Sequence, residues 1–271
     1  MSKMRLDALM INRALAKSRA RAQSLIMAGQ VRVDGQVILK PATSVSPTVS
    51  IEIEMGPRYV SRGGEKLEAA LQAFGFNKDN LSSTVCADVG ASSGGFTDCL
   101  LQHGVLRVYA IDVGQGILEW KIRQDKRVVV MEGVNARHID KLPEPVDLVT
   151  VDVSFISLKI ILPVIMGWFE ARGGDVVALI KPQFEAGRKE TSRGKGVIRD
   201  PKIHRQVLLD ILTFAQGKGY SIDGLIRSPL SGQKGNIEFL THLIYPGKST
   251  RNLDDLLTEL GLSGEISQGG N

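Results

Sequence analysis

The sequence predicts a doubly wound α/β domain preceded by a small α+β unit, and three observations carry that prediction. Seven apolar runs, most of them separated by helical segments, recur after residue 60; a glycine-rich turn follows the first of them; and the excess positive charge is confined to the first 50 residues. With 43% hydrophobic and 23% charged residues, a chain of 271 residues can bury one large core and a smaller one.

The small unit reads element by element. Leu6, Leu9, Met10 and Ala14 follow helical spacing, Ser18 can cap a second helix over Arg19–Ala28, and Gly29 closes it. Val31–Ile38 holds Asp34-Gly35 between β-branched residues, a strong hairpin signal, and a strand over Val49–Ile53 completes a unit expected at residues 1–55. Residues 1–50 carry eight cations (Lys3, Arg5, Arg13, Lys17, Arg19, Arg21, Arg32, Lys40) against Asp7 and Asp34, whereas the remainder is nearly balanced at 26 cations to 27 acids. A basic patch on a neutral body suggests a polyanion-binding module. The order of helix, basic helix, glycine and Val-Arg-Val-Asp-Gly hairpin resembles the RNA-binding domain first named from a small-subunit ribosomal protein. That resemblance implies that Arg5, Arg13, Arg19 and Arg21 meet phosphates, which give position without sequence choice. For any single arginine a solvated charged face is the plain alternative.

A linker is expected over 56–60 and the large domain over 61–248. Leu67, Ala70, Leu71 and Phe74 form a helical stripe, and apolar runs follow at Val85–Val89, Val108–Val113, Val128–Met131, Leu148–Val153, Val176–Ile180, Leu225–Ile226 and Phe239–Ile244. Runs apolar on both faces imply a parallel sheet with helices on each side. Ligands of such sheets bind beyond the carboxyl ends of the strands, at the point where strand order reverses.

The first run leads into Asp88-Val89-Gly90-Ala91-Ser92-Ser93-Gly94-Gly95, which is neither a dinucleotide fingerprint nor a phosphate loop. Its glycines let the backbone turn tightly beneath a ligand at a helix N-terminus. The second run ends in Asp112, placed as the acid that accepts ribose hydroxyls in nucleotide folds. Together these residues resemble the Rossmann-like methyltransferases. The resemblance implies S-adenosylmethionine as cofactor, with Asp88 at its amino-acid end, Gly90, Ser92, Gly94 and Gly95 beneath it, Asp112 on its ribose and Asn135 facing its adenine.

Asp152 follows the fourth run and Lys181 the fifth. A lone ion at the end of a buried strand is costly, and on neighbouring strands these two would compensate each other. Ser61-Arg62-Gly63-Gly64-Glu65-Lys66-Leu67 and Gly235-Asn236-Ile237-Glu238-Phe239 complete a match over nearly the whole chain to the TlyA family. Its members are bacterial proteins often labelled haemolysins, with a catalytic domain similar to FtsJ-type ribose methyltransferases. The resemblance implies a tetrad of Lys66, Asp152, Lys181 and Glu238, and methylation of a cytidine 2′-hydroxyl in ribosomal RNA. A ribose hydroxyl is a poor nucleophile and needs a base. Lys181 is the expected base, with Lys66 as the nearby cation that lowers its pKa and Asp152 and Glu238 orienting both amines.

Between Gln183 and Pro201, three glycines and five cations, among them Arg188 and Lys189, suggest a loop beside the site that closes on RNA. Residues 249–271 read as a C-terminal helix and tail. Cys86 and Cys99 sit among apolar neighbours, and four scattered histidines show no ligand spacing, so no metal is expected. No apolar stretch spans a bilayer and the N-terminus lacks a signal core, so a cytoplasmic protein without membrane contact is expected. Three other readings stay open at this point. They are a base amino-group methyltransferase, because Asp152-Val153-Ser154-Phe155 is faintly similar to the Asp-Pro-Pro-Tyr loop, a membrane-lytic haemolysin, and a non-catalytic RNA-binding factor.

Overall fold

The computed structural model describes residues 3–54, 56–187, 196–248 and 251–262. It divides into two compact units, Met1–Arg58 and Tyr59–Asn271.

In the first unit β1 (Met4–Arg5) leads into α1 (Leu6–Asn12), followed by α2 (Arg19–Met27), β2 (Val31–Val33), β3 (Gln36–Val37), β4 (Ser44–Val45) and β5 (Ile51–Ile53). The Ser18 side chain accepts from the Arg21 backbone N–H and caps α2. Asp34 and Gly35 both take positive φ, +48° and +79°, as a two-residue hairpin between β2 and β3 requires. The first helix stops two residues before the expected Ala14, which itself adopts φ +55°. Leu6, Leu9, Met10, Leu25, Ile26 and Val31 fill the core.

The second unit contains α3 (Gly63–Ala73), α4 (Lys78–Leu81), β6 (Val85–Val89), α5 (Gly95–Gln102), β7 (Arg107–Asp112), α6 (Trp120–Arg123), β8 (Val128–Glu132) and β9 (Leu148–Val151). It continues through α7 (Leu158–Ile165), β10 (Gly174–Ile180), α8 (Pro182–Glu185), α9 (Pro201–Gly217), β11 (Ser221–Arg227), β12 (Phe239–Tyr245) and α10 (Leu253–Glu259). The strands form one seven-stranded sheet in the order β11-β12-β10-β9-β6-β7-β8. Strands β6 to β10 pair in parallel, but β12 runs antiparallel between β10 and β11. An all-parallel sheet was the expectation. The exception follows from connectivity, because β11 and β12 are joined without a crossover helix, and a parallel pair needs one.

Apolar clusters lie on both faces, one with α3 and α5, the other with α7, α9 and α10. The sheet order reverses between β6 and β9, so their carboxyl ends frame the crevice where such sheets bind ligands. Two boundaries shift from expectation. Tyr59 and Val60, assigned to the linker, belong to the large unit: Tyr59 is buried and donates to Glu68 Oε2, and the Val60 N–H donates to Asp98. The C-terminal helix likewise joins the large core through Leu256 and Leu257, while residues 263–271 lie outside the described ones.

Candidate active site

The turn after β6 brings two strand ends into contact. Gly90 takes φ +84°, and a Cβ there would stand 2.4 Å from the Asp152 carbonyl oxygen, so only glycine lets the end of β6 approach the end of β9 this closely. Gly95 opens α5 against the start of α3, where a Cβ would meet Ser61 Oγ at 2.2 Å and the Gly64 nitrogen at 3.0 Å. Gly94, with φ +95°, lines neither cavity described below and serves the turn itself.

Two cavities share this edge. The larger, about 630 Å³, is lined by Gly90, Ser92, Asp112, Asn135, Asp152 and Phe155 among others. The smaller, about 260 Å³, is lined by Ser61, Arg62, Lys66, Gly95, Ser231 and Gly232, and shares Gly90, Ser92 and Asp152 with its neighbour. Asp112 is held by backbone, its Oδ2 accepting from Ser92 N–H and its Oδ1 from Gly114 N–H, both at 2.8 Å. Each oxygen keeps a further lone pair for a ligand hydroxyl. Asn135 Oδ1 accepts from Arg137 N–H, which leaves its amide group toward the cavity it lines.

Glu132, at the end of β8, accepts from Arg123 and from the backbone N–H groups of Gly116, Ile117 and Leu118. Arg123 first, then those amides, hold its carboxyl down at about 2. The group fixes the 114–118 segment beside Asp112. The sequence gives only a generic acid after an apolar run, so this role was not legible there.

Asp88 departs from expectation. Its side chain is fully buried and lines neither cavity, with Thr97 donating to Oδ2 at 2.6 Å and Thr150 to Oδ1 at 3.0 Å. Burial pushes its carboxyl up to about 6 despite both hydroxyls, with the Asp152 charge adding to the rise. It ties β6 to α5 and β9.

The four tetrad residues meet as two pairs. Lys181 Nζ lies 2.5 Å from Asp152 Oδ1 and donates to Ser154 Oγ at 3.0 Å. The Asp152 contact is an ion pair without hydrogen-bond alignment, and that buried oxygen has no hydrogen-bond partner among the described residues. Lys66 Nζ donates to Glu238 Oε2 at 2.5 Å, and Gln183 Nε2 donates to Glu238 Oε1 at 3.1 Å. Gly232 packs directly on that carboxylate, where a Cβ would come within 2.0 Å of Oε1. Lys66 and Asp152 line the same small cavity. Glu238 thus compensates the Lys66 charge at close range.

The sequence reading gave Phe155 no role beyond closing the segment faintly similar to Asp-Pro-Pro-Tyr. It follows Asp152 by three residues, holds φ +65°, and is 90% exposed at the lip of the larger cavity, 4.7 Å from the Phe184 ring. A bulky residue in the left-handed region is strained, and such strain concentrates at functional sites.

Among the phosphate-contact candidates, Arg5 sets Nε and Nη2 on the two oxygens of buried Asp7, and Arg19 Nε donates to the same carboxylate at 3.2 Å. Arg5 above all holds the Asp7 carboxyl far below the usual range against the opposing effect of burial. Arg13 donates to the carbonyls of Val49 and Pro47. Arg5 and Arg13 are thus committed to the fold, whereas the Arg21 side chain is exposed. Arg188 and Lys189 lie outside the described residues; Asn236 accepts from Ile198 N–H and donates to the Gly196 carbonyl.

A largely parallel sheet, a ribose-type acid on its second strand and a charged pair at its switch point define a methyltransferase-class α/β protein. The chain belongs to the FtsJ-like methyltransferase family, which matches residues 59–245, and an S4 domain matches residues 4–51. It is 46% identical over 250 residues (91% of this chain, 87% of the relative) to YqxC of Bacillus subtilis, provisionally named an rRNA methyltransferase. It is 43% identical over 243 residues (88% and 89%) to the 16S/23S rRNA (cytidine-2′-O)-methyltransferase TlyA of Mycobacterium tuberculosis. Among solved structures, one from Streptococcus thermophilus, provisionally described as a hemolysin, superposes with a TM-score of 0.70 at 39% identity, covering 96% of each chain. No helix among the described residues is long and apolar enough to cross a membrane.

Proposed function

We propose that this protein transfers the methyl group of S-adenosylmethionine to the 2′-hydroxyl of a cytidine in ribosomal RNA. The observation that carries the reading is the Asp152–Lys181 ion pair, whose aspartate lines both of two cavities of unequal size. The larger is within the range of small-molecule sites, and its contents suit an adenosine: Asp112, Asn135 and apolar walls from Ile111, Ile117 and Val134. S-adenosylmethionine, when bound, supplies an electrophilic methyl group on sulfur. Gly90 and Ser92 would lie under its methionyl portion, Asp112 would accept from its ribose hydroxyls, and Asn135 would face its adenine.

The smaller cavity is polar, rimmed by Arg62, Lys66, Ser61 and Ser231, and would receive the target nucleotide. Lys181 would act as the neutral amine, taking up the hydroxyl proton while Asp152 and Ser154 hold Nζ in place and releasing it to solvent after transfer. Glu238, clamped by Gln183, keeps Lys66 extended along the cavity wall. The exposed Phe155 ring offers a face on which a base could stack. The S4 unit would hold neighbouring RNA through phosphates, with Arg21 and Arg19 the exposed guanidinia of its second helix. These roles imply a cytoplasmic protein acting on ribosomal subunits.

The test is to map ribose 2′-O-methylation in ribosomal RNA from cells with and without the gene, and to repeat transfer in vitro on purified subunits. A cytidine whose 2′-O-methyl depends on the protein supports the reading. A methyl found on a base, or no transfer with folded protein and cofactor bound, overturns it.

A further inference from the structure

A second cluster of reactive side chains lies in the large unit, away from both cavities. Glu68 projects from α3, Cys99 from α5, and His103 from the position that caps α5. The three donor atoms lie within 4.8 Å of one another. His103 Nε2 is 3.4 Å from Glu68 Oε2, and Cys99 Sγ is 3.7 Å from the same oxygen. Around a tetrahedral zinc ion with ordinary Zn–S, Zn–N and Zn–O bonds, neighbouring donors stand about 3.4–3.6 Å apart. Two of the three edges are already close to that spacing.

The groups behind the donors are also in place. His103 Nδ1 lies 3.0 Å from the Cys99 carbonyl oxygen, so its N–H points there and the Nε2 lone pair faces Glu68. Gln72 Nε2 donates to Glu68 Oε1 at 2.9 Å, and Tyr59 Oη donates to Oε2 at 2.8 Å. Metal-binding histidines and carboxylates are oriented by outer partners of this kind. Cys99 is fully buried, while His103 and Glu68 side chains keep 12% and 13% exposure, enough for an ion to enter from that side.

We propose that Glu68, Cys99 and His103 form a binding site for a single divalent transition-metal ion, best suited to zinc. The mix of thiolate, imidazole and carboxylate favours zinc over magnesium or calcium. Binding displaces the Cys99 thiol proton to solvent and leaves a fourth position for water, with no change of oxidation state. Such an ion would fasten α3, which carries Lys66 two residues before Glu68, to α5, which begins at Gly95. The site was not legible in the sequence because Cys99 and Glu68 are 31 residues apart and share no motif.

The full chain, stripped with chelator and titrated with cobalt(II), tests this. One equivalent should bind with a thiolate-to-cobalt charge-transfer band and the intense visible bands of a tetrahedral site. Cys99→Ala should lose the charge-transfer band and Cys86→Ala should keep it. Gln72→Ala should keep the band with affinity lowered about 10–100-fold, the effect of losing an outer partner. His103→Gln, read if Cys99→Ala does not fold, should weaken binding beyond that range. Zinc should raise the thermal midpoint of the wild type and not that of His103→Gln. Absence of a charge-transfer band in the folded wild type, or its persistence in Cys99→Ala, overturns the proposal and leaves Glu68 and His103 as a hydrogen-bonded pair only.

Discussion

The two units both bury a carboxylate against cations, and they do so to opposite effect. In the small unit Asp7 is sealed from solvent and receives Arg5, Arg19 and Gln23, so its oxygens are saturated. In the large unit the Asp152 side chain is 21% exposed, meets one lysine without hydrogen-bond alignment, and forms the wall of two cavities. A saturated network stiffens a fold, whereas an under-satisfied pair beside open volume keeps donors and acceptors for a ligand. Ion pairing alone does not mark a site; pairing with unspent capacity next to space does.

The contrast is broken most directly at Lys181. Lys181→Ala should lower methyl transfer by about 10²–10⁴-fold, the usual share of general-base catalysis, while cofactor affinity by calorimetry stays near wild type and the melting temperature falls because Asp152 is left uncompensated. Retained activity would sink the assignment of the base. The counterpart in the small unit should do the reverse. Asp7→Asn should cost about 2 kcal/mol of stability in that unit by chemical denaturation, with cofactor affinity unchanged. The sign with pH follows. Asp7 titrates far below its ordinary 3.8, so its contribution is present above that value and is lost only as pH falls through the lower, folded one. Nuclear magnetic resonance signals of the small unit should therefore persist at pH 4 in the wild type and fade earlier in Asp7→Asn.

A smaller effect separates Asp112 from Asp88. Asp112→Ala should weaken cofactor binding about 10–100-fold, the loss of charge-assisted hydrogen bonds to a ribose. Asp88→Asn should leave binding within about threefold, since removing a group that makes no ligand contact carries no such loss. Its carboxyl is raised from 3.8 to about 6, so the stability it contributes is full below the first value and lost as pH rises through the second. The substitution should flatten the stability profile across that interval. Weakest of all, Arg21→Ala should change no melting temperature but reduce the salt slope of RNA affinity by about 0.7–0.9, whereas Arg13→Ala should act on stability.

How much of this was legible depends on whether a residue's role is set locally. The turn at Gly90, the Asp34-Gly35 hairpin and the Ser18 cap are fixed by backbone demands that neighbouring residues reveal. The pairing of Asp152 with Lys181 could be inferred because adjacent strands place their ends side by side. By contrast, the withdrawal of Asp88, the commitment of Arg5 and Arg13, and the amides gathered by Glu132 depend on partners distant in sequence or on which way a side chain turns. The antiparallel β12 was missed because an apolar strand carries no mark of its direction. Phe155 was missed because nothing in the letters Asp-Val-Ser-Phe announces a positive φ.

Gly90 and Asp152 belong to the lining of both compartments, so the meeting point of two strand tips is also the wall the compartments share. Any side chain added at position 90 would jam that wall and push the strand tips apart, so the closeness of the two compartments is set by a missing side chain.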